Sequence, residues 1–385
     1  MNIEIESPEE IQLKELLAKR DDPEAKRLLR FLHMPDLTRV SGSPLHDLVE
    51  RIVRIKRFSE FDMIRVPDIV STDICFDLFN FPSDHPARSA SDTYFVDQNN
   101  ILRTHTTIMW YYYLNHESIK EKIKNKESVG ALSYGKVYRK DEIDRNHMNV
   151  FHQMDGWYLA PKTNETITID DLKEVLTEIA QTIFGKDIPF RFNEDKFPYT
   201  DPSIEMEIEI GLSASSGQAR WVEVLGAGVV RGAVLKNLGV DPNEYNGWAF
   251  GFGLERLAII SMDLPDIRLL WSQDPRIVRQ LKLGQIYVPV SKYPPITRDI
   301  SFIVPDTFVP NNYFDLLRDL GGDLVEEVQL FDTYQDEEKF GAGRSSYTYR
   351  IVFRSNDRTL TSSEIDEIMK TLYQETAKQF NAELR

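Results

Sequence analysis

The densest set of residues able to do chemistry lies between Tyr138 and Asp155: Arg139, Lys140, Asp141 and Glu142, then His147, Phe151, His152, Gln153 and Asp155. Ser133 to Met154 reads as two strands around a polar loop. Alternation beyond Val150 puts Phe151, Gln153 and Asp155 on one sheet face. That face joins an aromatic plate, an amide and a carboxylate beside an arginine, a set suited to a planar base, an ammonium group and a phosphate. An exposed, salt-bridged hairpin accounts for the same residues. His105, His147 and His152 lack a tight ligand spacing, so polar packing explains them better than a metal centre.

Two glycine-rich stretches also invite a phosphate. Gly226 to Gly232 follows a strand, but Arg231 stands at the third glycine of a dinucleotide fingerprint and the flanking strands do not alternate with helices. Gly251-Phe252-Gly253-Leu254-Glu255-Arg256 lacks the Lys-Ser/Thr end of a phosphate loop. Both stretches fit a close backbone approach better than either motif.

The elements that must hold these residues follow from periodicity. Pro8 to Leu32 has helical composition, and a second, amphipathic helix starts at Pro44. Ile204 to Ile210 alternates charged and apolar residues as a half-buried strand, Trp221 to Leu225 is another, and a helix with Glu255 and Arg256 begins near Gly251. Such strands with few βα alternations predict an α+β fold: an antiparallel sheet with helices packed on it. Pro289, Pro294 and Pro295 mark a boundary near Val288. Beyond it, a βαββα order matches a ferredoxin-like domain.

The 385 residues suit more than one core, and 41% hydrophobic with 28% charged residues is a globular composition. No apolar run is long enough for a membrane span, and the acidic start resembles neither a secretory signal nor a transit peptide. Cys75, the single cysteine, excludes a disulfide framework and points to a reducing, cytoplasmic compartment. A net charge of −16 disfavours general nucleic-acid coating but allows a local RNA grip.

Motif by motif, the chain resembles the phenylalanine–tRNA ligases, class II aminoacyl-tRNA synthetases. Ser43-Pro44-Leu45-His46 and its helix resemble motif 1. Asp77 to Arg88 with Asp92-Thr93-Tyr94 resemble the loop before the amino-acid site, and Ile101 to Thr107 the segment LLRTHTS. Gly135 to Gly156 resembles motif 2 almost throughout. Phe197 to Ser203 resembles FPFTEPS, Trp221 to Gly228 resembles WVEVLGCG, and Gly247 to Leu257 resembles motif 3. Tyr293 to Val304, with Arg358 to Thr361, resembles the ferredoxin-fold anticodon-binding domain.

The resemblance implies roles. Arg139 and Arg256 would hold the ATP α- and γ-phosphates, Phe151 would stack on adenine, and Asp141 and His147 would complete the ATP site, with Mg²⁺ accompanying the nucleotide. His105, Thr107, Gln153 and Asp155 would surround the amino and carboxyl groups of L-phenylalanine. Trp110, Phe197, Tyr199, Ala249 and Phe250 would shape the ring pocket, and Glu223 would contact substrate. Asp201 falls at a magnesium-associated carboxylate. In the carboxyl-terminal domain, Arg344, Arg350, Arg354 and Arg358 would bind the anticodon stem of tRNA(Phe), with Tyr347 and Tyr349 stacking on bases. The expected product is a phenylalanyl-adenylate and then phenylalanyl-tRNA.

Several positions depart from the family pattern. Thr107 replaces a serine, Asp141 and Asp155 replace glutamates, Trp110 a glutamine and Tyr199 a phenylalanine. The last two leave discrimination against tyrosine open, because an apolar pocket rejects an added hydroxyl by only about a hundredfold. The expected architecture is a helical extension over residues 1–35, a class II catalytic domain over 36–287 and a ferredoxin-fold domain over 288–385. A fused anticodon module, no long coiled-coil arm and no editing segment resemble the organellar single-chain enzyme, a monomer. A mature mitochondrial matrix form is the alternative to a cytoplasmic one. A catalytically silent RNA-binding paralogue, or an α subunit needing a partner, would share these motifs.

Overall fold

Pro8, Pro23 and Pro44 each stand in the first turn of a helix, where the missing N–H breaks no hydrogen bond. Before them Ser7, Asp22 and Ser43 accept backbone N–H groups as N-caps. These signals begin α1 (Pro8–Lys19), α2 (Pro23–His33) and α3 (Pro44–Val53). The helical composition read from Pro8 to Leu32 is therefore two helices, divided at the Asp22-Pro23 start signal. The structure is a computed structural model that describes residues 1–140, 145–211, 220–355 and 357–385. The chain forms two units, Met1–Tyr287 and Val288–Arg385.

In the first unit, β1 (Asn2–Glu4) lies parallel to β2 (Asp62–Arg65), and β3 (Ile69–Ser71) makes a separate ladder with β4 (Asn100–Leu102). The short α4 (Thr72–Cys75) precedes β4, and α5 (Met109–Asn115) and α6 (Glu117–Lys124) follow it. Next come β5 (Val129–Tyr138), β6 (Val150–Pro161), α7 (Ile169–Phe184), β7 (Phe190–Asp195), β8 (Thr200–Ile210) and β9 (Arg220–Val230). α8 (Gly232–Asn237), β10 (Tyr245–Gly253), α9 (Leu254–Met262) and α10 (Pro275–Val278) complete the unit. The eight-stranded sheet runs β1-β2-β5-β6-β10-β9-β8-β7. It is antiparallel from β5 to β7, as expected, and parallel only at the β1-β2-β5 edge.

Residues 1–35 are not a separate appendage. Leu13, Leu17, Leu28 and Phe31 of α1 and α2 share a buried cluster with Leu102, Tyr138 and Val150 of the sheet unit. Lys136 of β5 fixes that packing. Its buried ammonium donates to the carbonyls of Leu32 at 2.7 Å and Met34 at 2.9 Å, closing the end of α2 as a cation at a helix carboxyl terminus should.

The second unit comprises β11 (Ile296–Pro305), α11 (Pro310–Gly321), β12 (Val325–Gln335), the short α12 (Glu337–Phe340), β13 (Arg344–Phe353), α13 (Ser362–Phe380) and β14 (Glu383–Leu384). Its antiparallel sheet, ordered β12-β13-β11-β14, buries Ile300, Phe302, Tyr349, Ile351 and Phe353 against Tyr313 of α11 and Ile365 and Leu372 of α13. A capping box, Thr361 with Glu364, starts α13.

Candidate active site

Antiparallel pairing transmits the alternation of β6 to its neighbours, because opposed residues share a face. Asp155 lies opposite Gly251, and Trp157 opposite Ala249. Gly251 and Ala249 in turn oppose Gly226 and Gly228. One face of the central sheet therefore carries Phe151, Gln153, Asp155 and Trp157 next to three glycines. The glycines lie inside β9 and β10 and not in loops after them, and α9 starts only at Leu254. Each leaves room for a neighbour. A side chain at Gly226 would meet the Phe197 ring at 2.6 Å, one at Gly228 the Thr200 Cβ at 2.5 Å, and one at Gly251 the Asp155 carboxylate. The result is a shallow cup on the sheet face, with Phe197, Thr200 and Asp155 lying directly against its backbone.

Asp155 anchors the cup. Its side chain is buried and accepts a hydrogen bond from the Thr107 hydroxyl at 2.7 Å. Burial pushes its carboxyl up to about 6, against the opposing pull of the Thr107 bond and the Arg139 charge. Gln153 Oε1 accepts the Thr106 N–H at 3.3 Å, which turns the amide along the same face. His105 is buried, and burial followed by the charge of Arg139 holds its imidazole down at about 3. It is therefore neutral. Its Nε2 donates to the Cys75 carbonyl at 3.0 Å, leaving Nδ1 a buried acceptor without a partner among the described residues. A negative group, a hydroxyl and an amide thus converge where an ammonium could sit.

Aromatic rings back the same cup, with Trp110, Trp157 and Phe79 buried in the core behind it and Phe81, Phe197 and Tyr199 only partly buried. Trp110 stacks on Trp157 with centroids 5.2 Å apart, and Tyr199 stands edge-on to Trp110 at 5.9 Å and stacked with Phe197 at 5.9 Å. Burial and the nearby Asp155 charge raise the Tyr199 hydroxyl pKa. Phe79 and Phe81 close the wall, packing on Trp110, Tyr199 and His105. Neither was assigned a role from the sequence, although both lie in the Asp77 to Arg88 segment as aromatics two apart. Phe250 does not join them. It opposes Gly156, whose missing side chain makes room for its ring, and packs against Phe58 on the other face.

The arginines expected to meet phosphates lie at the edges. Arg139 donates from Nε to the Thr104 carbonyl at 3.0 Å, and its Cζ lies 5.3 Å from the centre of the Phe151 ring. Arg256, in the first turn of α9 and about half exposed, meets Glu223 at 3.4 Å. A bulge between Met206 and Glu207 sets Glu223 opposite Glu207. His147 is exposed beside the loop, and Asp141 lies outside the described residues. Asp201 is 70% exposed with Arg231 as its ion-pair partner at 3.9 Å. Among the described residues, no three His, Cys, Asp or Glu side chains converge as a metal-binding group.

In the second unit the four arginines do not form a bare basic patch. Arg344 pairs with Glu383, Arg350 with Asp299, Arg354 with Glu326 and Arg358 with Glu364. Tyr349 is buried and Tyr347 packs on the core, so neither presents a free face for a base. The sheet instead exposes Phe331 and Tyr334 of its edge strand β12, with the Arg350 guanidinium 4.2 Å over the Phe331 ring. Their signal was aromatic residues in a strand that lies at the sheet edge, which the sequence does not reveal.

Residues 31–281 match the family of tRNA synthetases class II core domain (F), and residues 291–385 match the ferredoxin-fold anticodon binding domain. The chain is 39% identical over 340 residues to a chloroplastic/mitochondrial phenylalanine–tRNA ligase of Arabidopsis thaliana, covering 86% of this chain and 73% of that protein. It is 35% identical over 363 residues to the mitochondrial phenylalanine–tRNA ligase of Mus musculus, covering 85% and 75%. Against the phenylalanine–tRNA ligase alpha subunit of Persephonella marina, identity is 35% over 277 residues, 70% of this chain and 76% of the subunit.

Proposed function

The chain belongs to the phenylalanine–tRNA ligases, with a class II synthetase core and a ferredoxin-fold anticodon-binding domain, and from that premise we propose that its sheet cup makes phenylalanyl-adenylate and passes the phenylalanyl group to tRNA(Phe). The observation that carries this reading is the buried Asp155–Thr107 pair at the aromatic slot, on the same sheet face as the Arg139–Phe151 plate.

Asp155, Thr107 and Gln153 hold the substrate ammonium, and Phe81, Phe197 and Tyr199, backed by the buried Trp110, Trp157 and Phe79, enclose its ring. The substrate carboxylate then points along β6 toward Arg139. Phe151 supplies a face for adenine, and Arg139 and Arg256 neutralise charge as the carboxylate attacks the α-phosphorus and pyrophosphate leaves. No side chain need act as a nucleophile or base, since alignment of two bound reactants supplies much of the rate. Magnesium fits as a companion of ATP. One carboxylate, Glu223 beside Arg256, together with phosphate oxygens and water is an ordinary magnesium shell. When bound, the ion would add positive charge at the leaving pyrophosphate. Asp201, exposed and paired with Arg231, has only the family resemblance behind a metal role.

The second unit binds the anticodon arm in this reading, with the exposed rings of β12 as its stacking surface. A single chain with both parts works as a monomer. The organellar names of the relatives favour a mitochondrial or chloroplast-type enzyme over the cytoplasmic one expected from composition. No described helix is long and apolar enough to cross a membrane.

ATP–pyrophosphate exchange by the purified chain, with phenylalanine and tyrosine compared side by side, tests the reading. Phenylalanine-dependent exchange followed by charging of tRNA(Phe) is expected. Silence with both amino acids would overturn it.

A further inference from the structure

The inner face of α9 is apolar, with Leu254, Leu257, Ala258 and Met262 buried, except for one carboxylate. Glu255 is 2% exposed and reaches the back of β6. There its Oε1 and Oε2 lie 3.0 and 2.9 Å from the His152 backbone nitrogen, and Oε1 lies 2.6 Å from His152 Nδ1. The Leu37 N–H points at His152 Nε2 from 3.0 Å. That nitrogen is therefore an acceptor, and the ring proton sits on Nδ1 and goes to Glu255. Asp36 Oδ1, 3.5 Å from Nε2, is occupied by the Thr38 N–H and hydroxyl, and Trp271 lies over the imidazole at 5.6 Å.

Stability alone does not explain this arrangement. A buried polar pair can often be replaced by packed apolar side chains at no loss, and the other buried residues of α9 are already apolar. What the pair adds is direction. It leaves one relative placement of β6 and α9 in which every polar atom is satisfied. That placement matters because of sequence adjacency. Phe151 and Gln153 flank His152 and face the cup, and Arg256 follows Glu255. The β10–β6 ladder ends at the pair Gly253–Gln153, and Gly253 provides no side-chain cap that could fix the direction of the helix beyond it.

We infer that His152 and Glu255 are positioning residues for adenylate formation: their buried bond sets Arg256, on α9, at working distance from Phe151 and Gln153, on β6. The inference rests on the proposed ligase reading. Neither side chain touches substrate. Their loss acts through the arginine and the adenine plate, and a displacement of about 1 Å there is enough to cost about a hundredfold.

The test uses the full chain with His152→Gln, His152→Asn and Glu255→Gln, each confirmed folded by thermal unfolding. Asparagine places an amide N–H where Nδ1–H stands, whereas glutamine places its amide near Nε2. His152→Gln and Glu255→Gln should raise KM for ATP by about tenfold to a hundredfold, with KM for phenylalanine within about twofold. His152→Asn should stay near wild type in both. ATP affinity measured by calorimetry provides the same comparison without phenylalanine. Folded Gln variants with wild-type ATP constants would overturn the inference, as would His152→Asn losing ATP and phenylalanine affinity equally. If Glu255→Gln fails to fold, the two His152 variants decide alone. A wild-type chain that binds ATP but shows no exchange would instead sink the ligase reading.

Discussion

Replacing Asp155 by asparagine should stabilise the protein relative to wild type as pH rises while disabling amino-acid binding. The carboxyl is 4% exposed and titrates at about 6 in the fold against 3.8 when unfolded, because burial outweighs its hydrogen bond to Thr107 and the pull of Arg139. Its folded pKa is raised, so its contribution is intact below about pH 3.8 and is lost as pH rises through about 6. At pH 8 the ionised carboxylate costs about 3 kcal/mol, of which about 2 kcal/mol appears between pH 4.5 and pH 8. Asparagine keeps an acceptor for Thr107 but brings an amide N–H, and leaving that donor unsatisfied costs about 1–3 kcal/mol at any pH. The absolute ΔΔG is thus a small difference, but its change with pH is set by the carboxyl alone. Urea titrations of both proteins at pH 4.5 and pH 8 should show the variant gaining about 2 kcal/mol on wild type between them. Exchange kinetics should show KM for phenylalanine raised by about tenfold to a hundredfold, the worth of one charge-assisted hydrogen bond. Wild-type KM for phenylalanine should itself fall as pH rises through about 6, as Asp155 ionises to meet the ammonium. A ΔΔG independent of pH, or a variant with full activity, would refute the reasoning.

Gly226→Ala brings a methyl group to 2.6 Å from the Phe197 ring and should raise KM for phenylalanine far more than KM for ATP in exchange assays. Lys136→Met removes the ammonium that closes α2, leaving the Leu32 and Met34 carbonyls without that donor. It should cost about 1–3 kcal/mol in urea titration, and unchanged stability would count against the capping role. Phe331→Ala with Tyr334→Ala removes two exposed rings. The double variant should raise KM for tRNA by about tenfold or more and leave pyrophosphate exchange untouched, whereas loss of exchange would place those rings in the folding of the chain instead.

Whatever lay within a few residues along the chain was legible without the fold. Arg139, Phe151, Gln153 and Asp155 belong to one hairpin, and strand alternation is a local rule, so their common face could be read directly. The same rule forbade Ala249 and Phe250, adjacent in one strand, from sharing a pocket; the family resemblance obscured this, and the ladder to Gly156 restored it. The prolines near Val288 and the βαββα order announced the second unit for the same local reason. Only the tertiary structure could show that Gly226, Gly228 and Gly251 lie inside two strands with side chains directly against them, because glycine looks alike in a turn and beneath a close neighbour. Only it could show that the four second-unit arginines each meet a carboxylate, or that the buried His152 faces Glu255, 103 residues away. Periodicity is written in the backbone of each element. The partner that satisfies a buried charge is chosen by packing between elements, and one sequence read along its length does not contain that choice.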